Sequence, residues 1–333
     1  MKVFVGVCLI LGSFLGAGFV SGREVGEYFA RFGNFAIMSI VIASILLGVL
    51  IFFFLHLSLT AKGVSEFSQV YFGRLNGVMD ILFAISLTII SGAMIAGTKT
   101  LANESGVNPF ICVLATIVLV YIVVRGNINA MGKVNALLVP LLIVVVLVVA
   151  IPHMGAGSSS GSVILSAISG VNYVMINIVT LGVFLLEIGC RYSTKEKVLI
   201  AIISSLVIGV VMMIETLGII GGDVVYAPMP ILELASQNMV LCNMVKIAVF
   251  IGLFTTLISC ILVLARLINK VVKRYDISII VSIILSWLVS GIGFEKMVGY
   301  VYSVIGVIGC LMVIVTIAKS NKNTNQKSID WCN

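Results

Sequence analysis

Leu11-Gly12-Ser13-Phe14-Leu15-Gly16-Ala17-Gly18-Phe19-Val20-Ser21-Gly22-Arg23-Glu24 lies inside the first of many apolar segments and suits a continuous helix poorly. Glycine at positions 12, 16, 18 and 22 costs roughly 1 kcal/mol per residue against alanine in a helix interior. Unwound backbone at membrane depth has to be buried in protein or face water. Once unwound, it presents bare N–H and C=O groups. Half-helix N-termini attract anionic groups, and free carbonyls bind cations. Close helix packing of the small-xxx-small kind would use the same glycines. Arg23 and Glu24 directly after them, followed by Glu27, favour a break beside a cavity, because ionisable groups within a span usually mark a function.

Outward from this stretch, the 333 residues are 61% hydrophobic and 10% charged, with a mean hydropathy of +1.25. Soluble domains carry about 25% charged residues. The composition therefore excludes a soluble enzyme, a nucleic-acid binder and a disordered scaffold. A spanning helix needs about 20 apolar residues. Apolar runs divided by polar punctuation fall at 3–31, 34–60, 76–101, 108–125, 132–153, 163–191, 196–220, 239–269, 277–293 and 297–318. The pattern predicts about ten spans and leaves no room for a soluble domain. Pro228–Gln237 reads as a short surface helix before the eighth span, and the polar residues from 319 to 333 as an unstructured tail. Lys2, an apolar run to Leu15 and small residues at 16–18 mimic a secretory signal. The many spans that follow, and the charged stretch from Arg23 to Arg31, argue for an uncleaved first span instead.

The net charge of +7 reflects loop chemistry. With the N-terminus placed in the cytoplasm, fifteen Lys and Arg fall inside and only Arg23, Arg31, Lys99 and Lys296 outside, with Lys246 within a span. Positively charged residues collect on the cytoplasmic side. The bias predicts an even number of spans with both termini cytoplasmic. The Gly/Ser-rich linker Gly155–Gly161 divides the chain into residues 1–154 and 162–318, five spans each. Five is odd, so the two halves run in opposite topologies. Sliding one half over the other places Gly22 on Gly182 and Arg31-Phe32 on Arg191-Tyr192. Broken helices at matching positions of two repeats are a pointer to a binding site. Span 6 carries Asn172, Asn177, Thr180 and Gly182 in an apolar setting, which predicts a second break there.

The other candidates are weaker. The seven cysteines form no CxxC pair and no cluster with His56 or His153, so neither a disulfide framework nor a metal cluster is expected. Asp80 reads as a boundary residue of span 3, Lys246 as a snorkelling base, and Glu187 as a partner of Arg191 at i, i+4. Glu215 lies in the outer half of span 7. Glu24 is the preferred ionisable candidate because it adjoins the break. It could couple a proton, hold a cationic substrate, or pair with Arg23 or Lys246.

The stretch Gly16-Ala17-Gly18-Phe19-Val20-Ser21-Gly22-Arg23-Glu24, with Arg31-Phe32-Gly33 after it, resembles the YkvI-like membrane proteins of bacteria. That family looks like a branch of the amino acid–polyamine–organocation superfamily. The resemblance covers essentially the whole chain. It implies an all-α membrane protein of the LeuT type, two inverted five-helix repeats with helices 1 and 6 broken, in a bacterial inner membrane. It also implies a transporter, without naming the cargo. In sodium-using members of this fold, carbonyls before the first break meet span 8. Here Gly252-Leu253-Phe254-Thr255-Thr256 is similar to the small-x-x-[ST]-[ST] pattern of that site, and Gly12 and Leu15 would supply the carbonyls. A hard cation wants oxygen ligands and no thiolates. Thr255 and Thr256 could equally bond back to their own helix. Ser91, on span 3, flanks the substrate only by this resemblance.

These readings converge on a secondary transporter working by alternating access, not an enzyme. Its substrate, an amino acid or amine, would sit among Gly16, Ala17, Gly18, Ser21, Ser91, Asn177, Thr180 and Gly182. A substrate carboxylate would lie near the amides of residues 16–18. No nucleotide-binding motif is present, so energy must come from an ion gradient or exchange; the resemblance implies sodium as the coupling ion, and no other cofactor is implied. Proton coupling through Glu24 and a transporter-like sensor without flux are the alternatives. The expected partners are a small-molecule substrate and the lipid bilayer, with no nucleic acid. The oligomeric state is open.

Overall fold

The computed structural model describes residues 2–61, 63–156, 162–294, 297 and 302–330, and every regular element among them is helical. Most of the linker, Lys62 and Lys296, and residues 331–333 of the tail lie outside the described residues. The first span is three pieces: α1 (Lys2–Phe14), α2 (Ala17–Val20) and α3 (Arg23–Tyr28). Then come α4 (Ala36–Leu57), the short α5 (Val64–Phe72), α6 (Asn76–Glu104), α7 (Pro109–Arg125) and α8 (Asn127–Ala150). After the linker follow α9 (Val163–Gly189), α10 (Thr194–Gly221), α11 (Pro230–Leu234), α12 (Met239–Val272), α13 (Tyr275–Val289) and α14 (Tyr302–Asp330). Among the described residues, seven helices are long and apolar enough to cross a membrane. Lys2–Phe14, Pro109–Arg125 and Ile305–Ser320 are shorter apolar helices. These are the ten segments expected from hydropathy, and α11 is the expected short helix before the eighth. The tail begins as a continuation of α14 to Asp330.

Polar side chains set the helix starts. Asn108 accepts from the Phe110 amide ahead of Pro109, and Asn238 accepts from the amides of Val240 and Leu241. Ser193 and Glu196 form a reciprocal capping box at α10. Each satisfies N–H groups that have no partner within the helix.

Two helices form the centre. In α12, 89% of the most apolar window is buried in protein, and in α9 78%, against half or less in the other five long spans. Nine of the 13 residues of α1 are buried as well. It packs against α8, α9, α10 and α12. The lipid-facing surface belongs to the surrounding helices, where Ile45, Leu137 and Leu206 stand exposed.

The break in span 1 is as expected; the break in span 6 is not. α9 runs without interruption from Val163 to Gly189. Its polar side chains bond back to their own helix: Asn177 Nδ2 donates to the Tyr173 carbonyl at 3.0 Å, and Thr180 Oγ1 to the Asn177 carbonyl at 3.0 Å. Gly182 serves close packing, since a Cβ there would stand 3.1 Å from Met312 Cε and 3.3 Å from Phe54 Cε1. The helix-weakening residues are satisfied within the helix, so no bare backbone has to be exposed.

Candidate functional site

The break opens where α1 runs out. Leu15 N still donates to Leu11 O, but Gly16 N turns to Phe14 O at 2.8 Å, and Gly16 itself is extended. The carbonyls of the last turn of α1 are thereby released from helical bonding. A second turn follows at Gly22, whose φ of +81° is a conformation that glycine adopts freely. The Ile231 amide of α11 donates to Ser21 O at 3.0 Å and holds this far end in place.

On one side of the break lies α12. A Cβ on Gly252 would stand 3.2 Å from Leu15 O and 3.3 Å from the carbonyl carbon of Gly16, so only glycine lets the helix approach this closely. One turn on, Thr256 Oγ1 lies 3.4 Å from Gly12 O. Thr255 donates its hydroxyl proton to Ile251 O at 2.9 Å, which leaves its oxygen lone pairs unused. Gly12, Leu15, Gly16, Gly252 and Thr256 are therefore brought together, whereas Thr255 bonds back to its own helix; both hydroxyls are buried. Asn135 of α8 joins them, unsignalled by any motif. It is fully buried, its amide has no partner among the described residues, and a Cβ on Gly12 would stand 2.4 Å from its Nδ2.

On the other side lies Glu24. Its side chain folds back over Gly18, and a Cβ on Gly18 would stand 2.2 Å from Glu24 Oε1. Tyr173 of α9 donates its hydroxyl to Glu24 Oε2 at 3.1 Å. The Tyr173 ring is held by Phe14, Tyr28 and Phe29, with centroids 5.3–5.8 Å away. Neither pairing considered for Glu24 forms: Arg23 reaches Ala227 O at 3.5 Å, and Lys246 donates to Glu104 O at 3.2 Å. The carboxyl of Glu24 thus occupies the position by Gly18 where a substrate carboxylate was expected. Gly16, Ala17, Gly18 and Ser21 all line the break, with Ser21 Oγ bonded to Gly18 O.

Four expected substrate residues are elsewhere. Ser91 meets Ser286 of α13, Oγ to Oγ 2.6 Å, because its face of α6 is turned toward that helix. Thr180 and Asn177 are engaged within α9, and Gly182 packs against α4 and α14, as described above. Tyr173 and Glu215 were not singled out as a pair with Glu24, since their contact arises only from the packing of α3, α9 and α10. A cavity of about 640 Å³ lies beside the end of span 1, lined among others by Tyr28, Arg31, Ser169 and Asn172.

At the opposite end of the bundle, on the face rich in Lys and Arg, α12 is tied to its neighbours by charge. Arg266 pairs with Glu187 of α9, which also accepts from the Val64 amide at 3.1 Å. Lys270 pairs with Asp80 of α6 at 2.5 Å, and Asp80 accepts from Ser68. Gly63, with a φ of +96°, brings the α5 loop up to the Glu187 carboxylate. The expected pairing of Glu187 with Arg191 does not form, because α9 ends at Gly189 and the i, i+4 geometry ends with it. Arg191 donates to Asn129 instead.

No family model matches the chain. Over 144 residues it is 31% identical to the uncharacterized membrane protein YkvI of Bacillus subtilis (strain 168), a stretch covering 42% of this chain. The chain spans about two-fifths of the length of that curated relative, 41%, so the resemblance aligns over less of the chain than its motif suggested. Three solved structures are similar over nearly the whole chain. A Na+-coupled sialic acid symporter, substrate-bound and outward-open, matches 95% of this chain and 78% of its own at a TM-score of 0.69 and 15% identity. MhsT in complex with L-phenylalanine matches 93% and 87% at 0.72 and 14% identity. Mhp1, a nucleobase-cation-symport-1 family transporter in a closed conformation, matches 94% and 75% at 0.66 and 13% identity. The expected fold class stands: an all-helical membrane protein of the LeuT type.

Proposed function

We propose that this membrane protein is a secondary active transporter of a small organic solute, an amino acid or amine, coupled to sodium and working by alternating access around the broken first span. The observation that carries this reading is the approach of α12 to the break, with Thr256 Oγ1 3.4 Å from the released Gly12 carbonyl and Gly252 closed against the Leu15 carbonyl. Two oxygens at right angles around a cation with bonds of about 2.4 Å stand about 3.4 Å apart. The Thr256–Gly12 separation of 3.4 Å is long for a hydrogen bond and suits that shell. All the donors are oxygens, which fits a hard cation. The fold shared with a Na+-coupled symporter and with transporters of small solutes supports the same reading.

The residues divide the work. Gly252 and Gly16 let α12 and the break touch, and Thr255 and Thr256 hold the cation to the carbonyls. The bound charge thereby fixes the angle between α1 and α2. The ion pairs of Arg266 and Lys270 tie the basic face shut on the far side, so opening there requires them to separate.

The test is thermal stability of the purified protein in sodium and in potassium, with amino acids and amines added. A ligand that binds only the folded state raises stability, by about 2.7 kcal/mol at a hundredfold excess over Kd. Sodium is expected to stabilise the wild type and not the Thr255→Val/Thr256→Val variant. Equal stability in both salts overturns the sodium site. Solute binding without flux into proteoliposomes replaces transport with a sensor function.

A further inference from the structure

Glu215 of α10 is the second acid at the break, and no element of the sodium reading uses it. Its exposure is 0%, and neither carboxyl oxygen has a hydrogen-bond partner among the described residues. The hydroxyl of the adjacent Thr216 is buried and unpartnered too. α10 reaches the break at this level: a Cβ on Gly22, two residues before Glu24, would stand 3.1 Å from Cδ1 of Ile219, one turn along from Glu215. Glu24 is itself only 7% exposed. No lysine, arginine or histidine among the described residues forms an ion pair with either acid. The surrounding charged and titratable groups are accounted for. Tyr28 and Tyr173 face the acids, Arg23 is bound to Ala227 O, and Glu27 and Arg31 pair with each other at the surface. Glu233 of α11 is exposed.

Two buried carboxyl groups, of which only Glu24 accepts from a phenolic donor, are short of positive charge. An isolated ionised carboxylate at such depth is far too costly, and it takes up a proton or a counter-cation instead. The two unpartnered oxygens of Glu215 and the carboxyl group of Glu24, which accepts from Tyr173, form an acceptor-rich environment, which suits a hydrogen-bond-donating cation. We propose that Glu24 and Glu215 form a subsite for one exchangeable hydrogen-bonding cation, either the ammonium group of the transported solute or, in its absence, a proton. Tyr173, fixed by its three rings, positions Glu24. Tyr28 packs against Tyr173 at a tilt of 43° and also lines the 640 Å³ cavity, which puts that cavity next to the ring bonded to Glu24. Exchange is balanced: an arriving R–NH3+ displaces the shared H+, which leaves through the cavity, and the pair keeps the same net charge. The subsite rests on the transporter reading for its cargo but not for its cation.

The test uses the full-length protein in lipid nanodiscs at pH 7, with phenethylammonium as probe and phenylacetate as an anion of similar size. Infrared difference spectra report the C=O stretch of a protonated carboxyl group. The empty wild type is expected to show that band, and the Glu24→Gln/Glu215→Gln variant to lack it. If phenethylammonium removes the band and stabilises the wild type, with at least about tenfold weaker binding in the variant, the exchangeable cation is an ammonium. If the band persists with phenethylammonium present, the resident charge is a proton, and the subsite stands as a proton site. A wild type with no protonated-carboxyl band and no stabilisation by phenethylammonium overturns the subsite, as does stabilisation by phenylacetate. Phenethylammonium that binds but does not enter proteoliposomes overturns transport and leaves the subsite. Sodium-dependent flux unchanged in the variant does the reverse.

Discussion

Gly18 shows how much a single hydrogen can decide. A methyl group there would sit 2.2 Å from Glu24 Oε1, 2.5 Å from its Cδ and 2.6 Å from its Cγ, so the whole side chain would have to leave, not only its tip. Overpacking of this kind costs about 1–3 kcal/mol. Gly18→Ala is therefore expected to destabilise the protein by about that amount, and to be nearly neutral in a Glu24→Ala background. Thermal unfolding of the four members of that double-mutant cycle measures the difference, and equal costs in both backgrounds would show that the side chain does not lie over Gly18. Glu24 was legible because it adjoins a glycine-rich break. Thr255 and Thr256 were legible through a spacing pattern. Glu215 and Tyr173 were not, because only helix packing brings them to Glu24. Asn135 carried no signal of its own, being one of three asparagines in α8.

At the scale of elements, the two halves of the chain part company. Four glycines within α1–α3 leave the backbone without side chains to pack, and the first span breaks. Span 6 has a comparable share of helix-weakening residues, but asparagine and threonine can satisfy themselves on the preceding turn, and α9 stays whole. Composition alone does not separate these cases; the direction of the side-chain hydrogen bond does. The pairing of Glu187 was misjudged for a related reason, since an i, i+4 rule holds only where the helix continues. Glu187 is nearly buried, Arg266 about a quarter exposed, and the Val64 amide depends on the same carboxylate. Removing one partner strands the others. Glu187→Gln and Arg266→Met are each expected to cost about 1–3 kcal/mol, and the double variant less than the sum. Additive losses in denaturation experiments would show that α9 and α12 are not tied by this pair.

At the scale of the whole molecule, the topology was the most legible feature. Ten apolar segments and a fifteen-to-four distribution of Lys and Arg carry it without any tertiary information. The orientation is testable through Cys190, which is exposed at the end of α9 on the face rich in basic residues. In a variant keeping Cys190 as its only cysteine, a membrane-impermeant maleimide is expected to label permeabilised cells at least about tenfold more than intact ones. Equal labelling of both would place that face outside. What hydropathy could not rank was depth within the bundle. α12 and α4 are similarly apolar, yet one is an axle and the other faces lipid.

That axle comes late in the chain. α12 is the eighth span in order of synthesis, so a nascent chain holds seven spans in the bilayer before its centre arrives. Until residues 239–272 emerge, Gly12 has no Thr256 to meet, Leu15 no Gly252, and Glu187 no Arg266. A chain stalled at that point displays bare carbonyls and an unpaired acid to its surroundings. The groups that assemble the site therefore double as a mark of incompleteness, open to membrane quality control until α12 closes over them.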